Sequence, residues 1–180
     1  MSMNWKNINI VVALLIVGIG FYFFELNKPT VTNAPTVFDP ANATYIIDGS
    51  PVTLVNGKVD VSVAPDSSTR ILTMIFGEPT IGDLNNDGKP DAAFLLVRTT
   101  GGSGTFFYVA VAVNAGNGTQ GTNAILLGDR IAPQTLEIKN GQVIANYAVR
   151  QPGEPMTAQV SVGVSKYLKV EGTTLVETNQ

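Results

Sequence analysis

The chain has 180 residues, 44% hydrophobic and 14% charged, which is enough for one ordinary buried core and cramped for two. Its formal charge is -3 and its 11 basic residues are scattered singly, so no dense basic face exists for a phosphate backbone and nucleic acid is not an expected partner. Cysteine and histidine are both absent, which removes disulfides, thiolate metal sites, thiol nucleophiles, histidine zinc sites and His-dependent triads.

Taken from the start, residues 1–6 form a short N-terminus ending in Lys6. The run Ile10 to Phe24, IVVALLIVGIGFYFF, is unbroken and apolar. With Trp5, Ile8 and Leu26 at the interfaces it predicts one transmembrane helix over 7–26. A cleaved signal peptide needs a small-x-small site after the apolar run. The nearest pair, Gly18 and Gly20, would leave FYFF at the head of the mature chain, so the segment reads as an uncleaved anchor. Without cysteine there is no lipoprotein acylation site. Lys6 on the short side places the N-terminus in the cytoplasm, a bias that Lys28 on the far side weakens. The long C-terminal part is expected outside, in the periplasm or at the cell surface.

Residues 27–40, rich in Pro, Thr and Asn and without periodicity, read as an extended linker. Counted from Glu25, a wholly polyproline-like spacer would reach about 50 Å.

From 41 to 180 the pattern changes to short β segments separated by turn signals. In TYIIDGSPVTLVNGKVDVSV the pairs Asp48-Gly49 and Asn56-Gly57 supply the positive φ angles of tight turns, which predicts two hairpins. ILTMIFGE (71–78), AAFLLVRT (92–99) and TFFYVAVAV (105–113) are long apolar runs, expected as central strands buried on both faces, with Phe106, Phe107 and Tyr108 in the core. Further turns are expected at Asn140-Gly141 and Glu171-Gly172. No helical periodicity follows residue 40. The predicted domain is all-β, an antiparallel sandwich or partly open barrel of about nine or ten strands.

The stretch GDLNNDGKPDAAF, residues 82–94, carries the chemistry. Asp83, Asn85 and Asp87 fall at positions one, three and five, Gly88 at six, the Lys89 carbonyl at seven and Asp91 at nine. A hard cation with six to eight oxygen ligands needs carboxylates converging from one tight curl, and glycine at the sixth place permits the bend. Asn, Asp and Gly are also ordinary turn residues, and an empty loop closed by Asx hydrogen bonds is the alternative. Three carboxylates in so short a loop repel one another, and a divalent ion reverses that repulsion. All-oxygen ligation selects calcium over zinc or copper, and magnesium is disfavoured by its rigid octahedron. The expected ligands are Asp83, Asn85, Asp87, Lys89 and Asp91.

The loop resembles the EF-hand calcium loop in its first nine positions, but Phe94 stands where that family has a bidentate glutamate, and no helices flank it. It is more similar to the strand-loop-strand calcium loops of FG-GAP repeats, of the form DxNxDGxxD followed by an apolar strand. The resemblance covers about thirteen residues and occurs once, so a propeller is not implied. Without the bidentate acid, binding on the order of 0.1 to 1 mM is expected, suited to a permanently filled staple outside the cell.

LLGDR (126–130), LEIKNGQVIANYAVRQPGEPM (136–156) and SKYLKVEG together look like the β domains of uncharacterised bacterial envelope lipoproteins, where a GDR turn precedes two strands and a Pro-rich loop ending in Pro-Met. That family commonly carries cysteines after the Met. Thr157 and Ala158 stand there here, so its disulfide is absent. The resemblance implies no activity, and Asp129 with Arg130 reads as a turn with an ion pair.

An enzyme is not expected. The carboxylates Glu78 and Asp91 lack a supporting motif, and Ser165 and Lys166, adjacent on a strand, point to opposite faces. The reading is a membrane-anchored extracytoplasmic calcium-binding β domain, a binding or structural module of the cell envelope whose ligand is an envelope protein or a glycan. Two alternatives stand beside it: a secreted or envelope carbohydrate-active enzyme using a carboxylate pair, and a subunit of a surface filament or secretion assembly.

Overall fold

The computed structural model describes residues 37–179. The anchor expected over 7–26, the short N-terminus before it and the linker as far as residue 36 lie outside the described residues. Phe38 packs against the core, and Asp39 caps a single 3-10 turn, Pro40–Asn42, by accepting from the Ala41 amide at 2.9 Å. The last residues read as spacer are thus built into the β domain.

Everything after that turn is strand and loop, in antiparallel sheets. The strands are β1 (Thr44–Ile47), β2 (Ser50–Thr53), β3 (Lys58–Ser62), β4 (Arg70–Gly82), β5 (Asp91–Thr99), β6 (Phe106–Asn114), β7 (Thr119–Gly121), β8 (Ile125–Asp129), β9 (Ala132–Lys139), β10 (Gln142–Val149), β11 (Val162–Glu171) and β12 (Thr174–Thr178). Twelve strands replace the expected nine or ten because two short ones, β7 and β8, share one edge of β6.

A central sheet runs β3-β4-β5-β6 and divides at its far edge between β7 and β8; a second sheet is the meander β9 to β12; β1 and β2 form a separate hairpin. Alternation explains how the central sheet joins two cores. On β5 and β6, Ala93, Val109, Val111 and Val113 point to one side and meet Val143, Ala145, Tyr147, Leu168 and Leu175 of the second sheet. Their neighbours Ala92, Phe94, Leu96, Tyr108 and Ala110 point to the other side and meet Tyr45, Ile47 and Leu54 of the hairpin and its exit. Strands with apolar residues at every position are dry on both faces, as the runs in β5 and β6 predict. β4 departs from that expectation: Met74 and Phe76 are partly exposed, because β4 lies outside the region covered on both sides.

The Asp48-Gly49 turn makes the predicted hairpin, with both residues at positive φ (51° and 76°) and Ile47 opposite Ser50. The second predicted hairpin does not form as a ladder. Asn56 and Gly57 turn the chain tightly, at φ 52° and 78°, but only Val55 and Lys58 bridge across it. β3 then leaves β2 and pairs with β4, because its apolar residues serve the central sheet. Asn140-Gly141 joins β9 to β10 as expected. Gly172 and Thr173 form the last turn, with Glu171 opposite Thr174.

The segment Thr122–Ala124, between β7 and β8, touches all three sheets. The Thr122 amide donates to Val111 of β6, the Ile46 amide of β1 donates to Thr122 and the Ala124 amide donates to Ile46. The side chain of Asn123 bonds Leu175 of β12.

Candidate metal centre

The loop from Asp83 to Pro90 joins β4 to β5, and its ends are closed by the pairing of Gly82 with Asp91. Its curl is held by its own side chains. Asp83 accepts from the Asp87 amide at 3.2 Å and the Gly88 amide at 3.0 Å. Asn85 Oδ1 accepts from the same Asp87 amide at 3.0 Å, and Asp87 Oδ1 accepts from the Lys89 amide at 2.8 Å. Gly88 takes φ 80° at the sharp bend, where a Cβ would be strained, and Asn86 takes φ 61°, a conformation asparagine tolerates.

The expected ligands divide into two groups. Asp83 and Asn85 are drawn together, since one oxygen of each reaches a single N–H. Asp87 lies next to them, and its Oδ2 pairs with the Lys89 ammonium at 3.1 Å. The Lys89 amide and ammonium hold the Asp87 carboxyl below its ordinary range. Asp91 is turned the other way. It is fully buried, its Oδ2 accepting from the Leu84 amide at 2.9 Å and its Oδ1 from the Asn114 amide at 2.8 Å. Leu84 is itself a core residue, so Asp91 fastens the start of the loop and the end of β6 to one point.

Among the described residues, no three Asp, Glu, His or Cys side chains gather closely enough to hold a metal ion. The crowding of charge that invites a cation is partly relieved by the chain: Lys89 neutralises Asp87, and two backbone amides receive Asp91. What remains on the loop is an oxygen-rich side made by Asp83, Asn85 and Asp87. A carboxylate oxygen that accepts one amide keeps a second lone pair, the kind of donor a hard cation takes, but Asp87 Oδ2 is occupied by Lys89. Asp91 fits as a ligand less well because it is fully buried, whereas Asp83, whose oxygens also accept amides, is partly exposed.

The other sequence-level candidates stand apart. Glu78 is exposed on the irregular middle of β4, whereas Asp91 is buried, so the two do not face a common cleft. Ser165 bonds Asn146 at 2.6 Å while Lys166 pairs with Glu177 at 2.7 Å, separate partners for neighbouring residues of one strand. Asp129 and Arg130 pair at 2.9 Å, half-buried, and Arg130 takes φ 49°. Arg130 and the Thr105 amide keep the Asp129 carboxyl below its usual range. Arg150 then ties this turn to the Pro-rich loop, donating to the carbonyls of Arg130 and Ala158.

One cluster escapes the sequence reading. Asp48, expected only as a turn residue, accepts from Arg98 Nη1 at 3.2 Å and from the Tyr108 hydroxyl at 3.0 Å. Burial, then the hydrogen bond and charge of Asp48, push the Tyr108 hydroxyl up to about 12. These residues are 50 and 60 positions from Asp48, and no local motif joins them. Against known proteins, no family model, curated protein or solved structure matches the chain.

Proposed function

We propose that the chain is a membrane-anchored module of the cell envelope whose β domain faces away from the cytoplasm and is stapled by one calcium ion at the 83–91 loop. The convergence of Asp83 and Asn85 oxygens on the Asp87 amide, with Asp87 beside them, is the observation that carries the calcium reading. Asp83, Asn85, Asp87 and the Lys89 carbonyl would hold the ion. Asp91 secures the base of the loop and joins the ligand set only through lone pairs its two amides leave free. The ion supplies charge neutralisation and a fixed loop, not chemistry. The apolar run Ile10 to Phe24 supports the anchor expected over 7–26, and the two apposed sheets with a third, hairpin layer support a rigid sandwich-like body that presents an envelope protein or glycan ligand with a constant surface.

Thermal melting of the full chain in mild detergent, with calcium, with magnesium and with chelator, tests the reading. At about 10 mM calcium and the expected affinity, mass action stabilises the folded state by roughly 1.4 to 2.7 kcal/mol. That corresponds to a rise of about 3 to 10 °C, specific to calcium. Identical melting in the three buffers overturns the calcium assignment.

A further inference from the structure

The hairpin β1-β2 covers only part of one face of the central sheet. Beside the free edge of β2 lies a groove of about 350 Å³, at the lower end of small-molecule sites, with Val59, Val61, Ile71 and Thr73 as its floor and Pro51 and Val52 as its wall. Val59, Thr73 and Arg98 are direct partners across three adjacent strands, which puts the Arg98 guanidinium at the end of an aliphatic trough.

Arg98 is incompletely partnered. Its Nη1 donates to Asp48, while its Nε is the one buried side-chain polar atom without a partner among the described residues. An unmet buried donor is costly and rare in a folded protein, and an acceptor brought by a ligand removes the cost. The guanidinium presents Nε and Nη2 along one edge, a fork that matches the two oxygens of a carboxylate. Asp48 does not cancel the attraction: its side chain is 57% exposed and screened by water, whereas that of Arg98 is 15% exposed.

We propose that this groove binds a small monocarboxylate with an aliphatic body, its carboxylate on the free edge of Arg98 and its chain along Val59, Val61 and Ile71. Nε is buried, so binding requires the guanidinium to turn outward as the ligand enters. The site is separate from the 83–91 loop and does not depend on calcium.

Ligand-detected NMR titration of the full-length chain in lipid nanodiscs, with empty nanodiscs subtracted, uses hexanoate as the probe and hexanamide as its uncharged isostere. Hexanoate is expected to bind at least tenfold more tightly than hexanamide. Arg98→Met removes the preference. Val61→Asp, at a residue 46% exposed and therefore tolerant of charge, weakens hexanoate at least tenfold while leaving the melting temperature of the chain in place. Equal binding of acid and amide, binding that survives both substitutions, or no binding of hexanoate overturns the proposal. A Val-terminated tripeptide that binds more tightly than hexanoate overturns it in favour of a peptide C-terminus.

Discussion

The side-chain amide of Asn123 holds both backbone groups of Leu175: its Nδ2 donates to the Leu175 carbonyl at 2.9 Å, and its Oδ1 accepts from the Leu175 amide at 2.8 Å. One side chain thereby stands in for a neighbouring strand along the edge of β12 that β11 leaves free. Asn123→Ala is expected to lower stability by about 2 kcal/mol, because two largely buried backbone groups lose their partners. Asn123→Asp keeps the acceptor but sets a charged carboxylate oxygen against the Leu175 carbonyl, a repulsion that should make its loss at least as large. Urea denaturation midpoints of the three chains check the ordering.

Asp91 should matter to the fold whether or not metal is present. Asp91→Asn retains one acceptor and sets an NH2 group against a backbone N–H, and a loss of about 3 kcal/mol is expected in chelator. Unchanged stability in chelator would show that the two amide bonds contribute nothing and that Asp91 acts only with a cation.

Gly121 permits the close crossing of β7 over β1. A Cβ there would collide with the Thr44 carbonyl oxygen and lie 2.7 Å from the Tyr45 ring, a wall of backbone and fully buried aromatic that cannot give way. Gly121→Ala is therefore expected to cost more than about 2 kcal/mol. At Gly49 a Cβ meets nothing, so Gly49→Ala should cost only the strain of its φ of 76°, about 1 kcal/mol. Thermal melting of the pair separates collision from backbone strain.

Tyr108 sets an alkaline limit. Its proton is held more tightly in the folded chain than in the unfolded one, so its contribution is intact below the ordinary tyrosine pKa of about 10. That contribution is lost as the pH climbs toward 12. Tyr45 and Tyr147 shift in the same direction, mainly through burial. Tyr108→Phe should flatten part of the stability decline above pH 10, and Tyr45 and Tyr147 should retain the rest. Denaturant titrations between pH 8 and 12 measure the difference.

The sequence shows local devices and hides the distant partners. Asp48-Gly49 and Asn140-Gly141 are legible because a two-residue turn needs positive φ at fixed places, and β5 and β6 are legible because a strand dry on both faces has no polar alternation. The curl at Gly88 follows from the spacing of Asp83, Asn85 and Asp87 for the same reason. The inward turn of Asp91 does not, since its partner amide at Asn114 is 23 residues away and carries no side-chain signature. β7 and β8 were illegible because three to five residues are too short for alternation to speak. The parting of β2 from β3 depends on which sheet offers β3 a partner, a tertiary choice that Asn56-Gly57 cannot encode.

The tripeptide Thr122–Ala124 is bonded at once to β6, β1 and β12. Peeling away either outer layer therefore breaks bonds made by the same three residues, and the remaining layer loses part of its attachment in the same event. Native-state hydrogen exchange should then register a common opening free energy for the slowest amides of all three sheets, with no stage at which the hairpin or the meander exchanges as an independent unit.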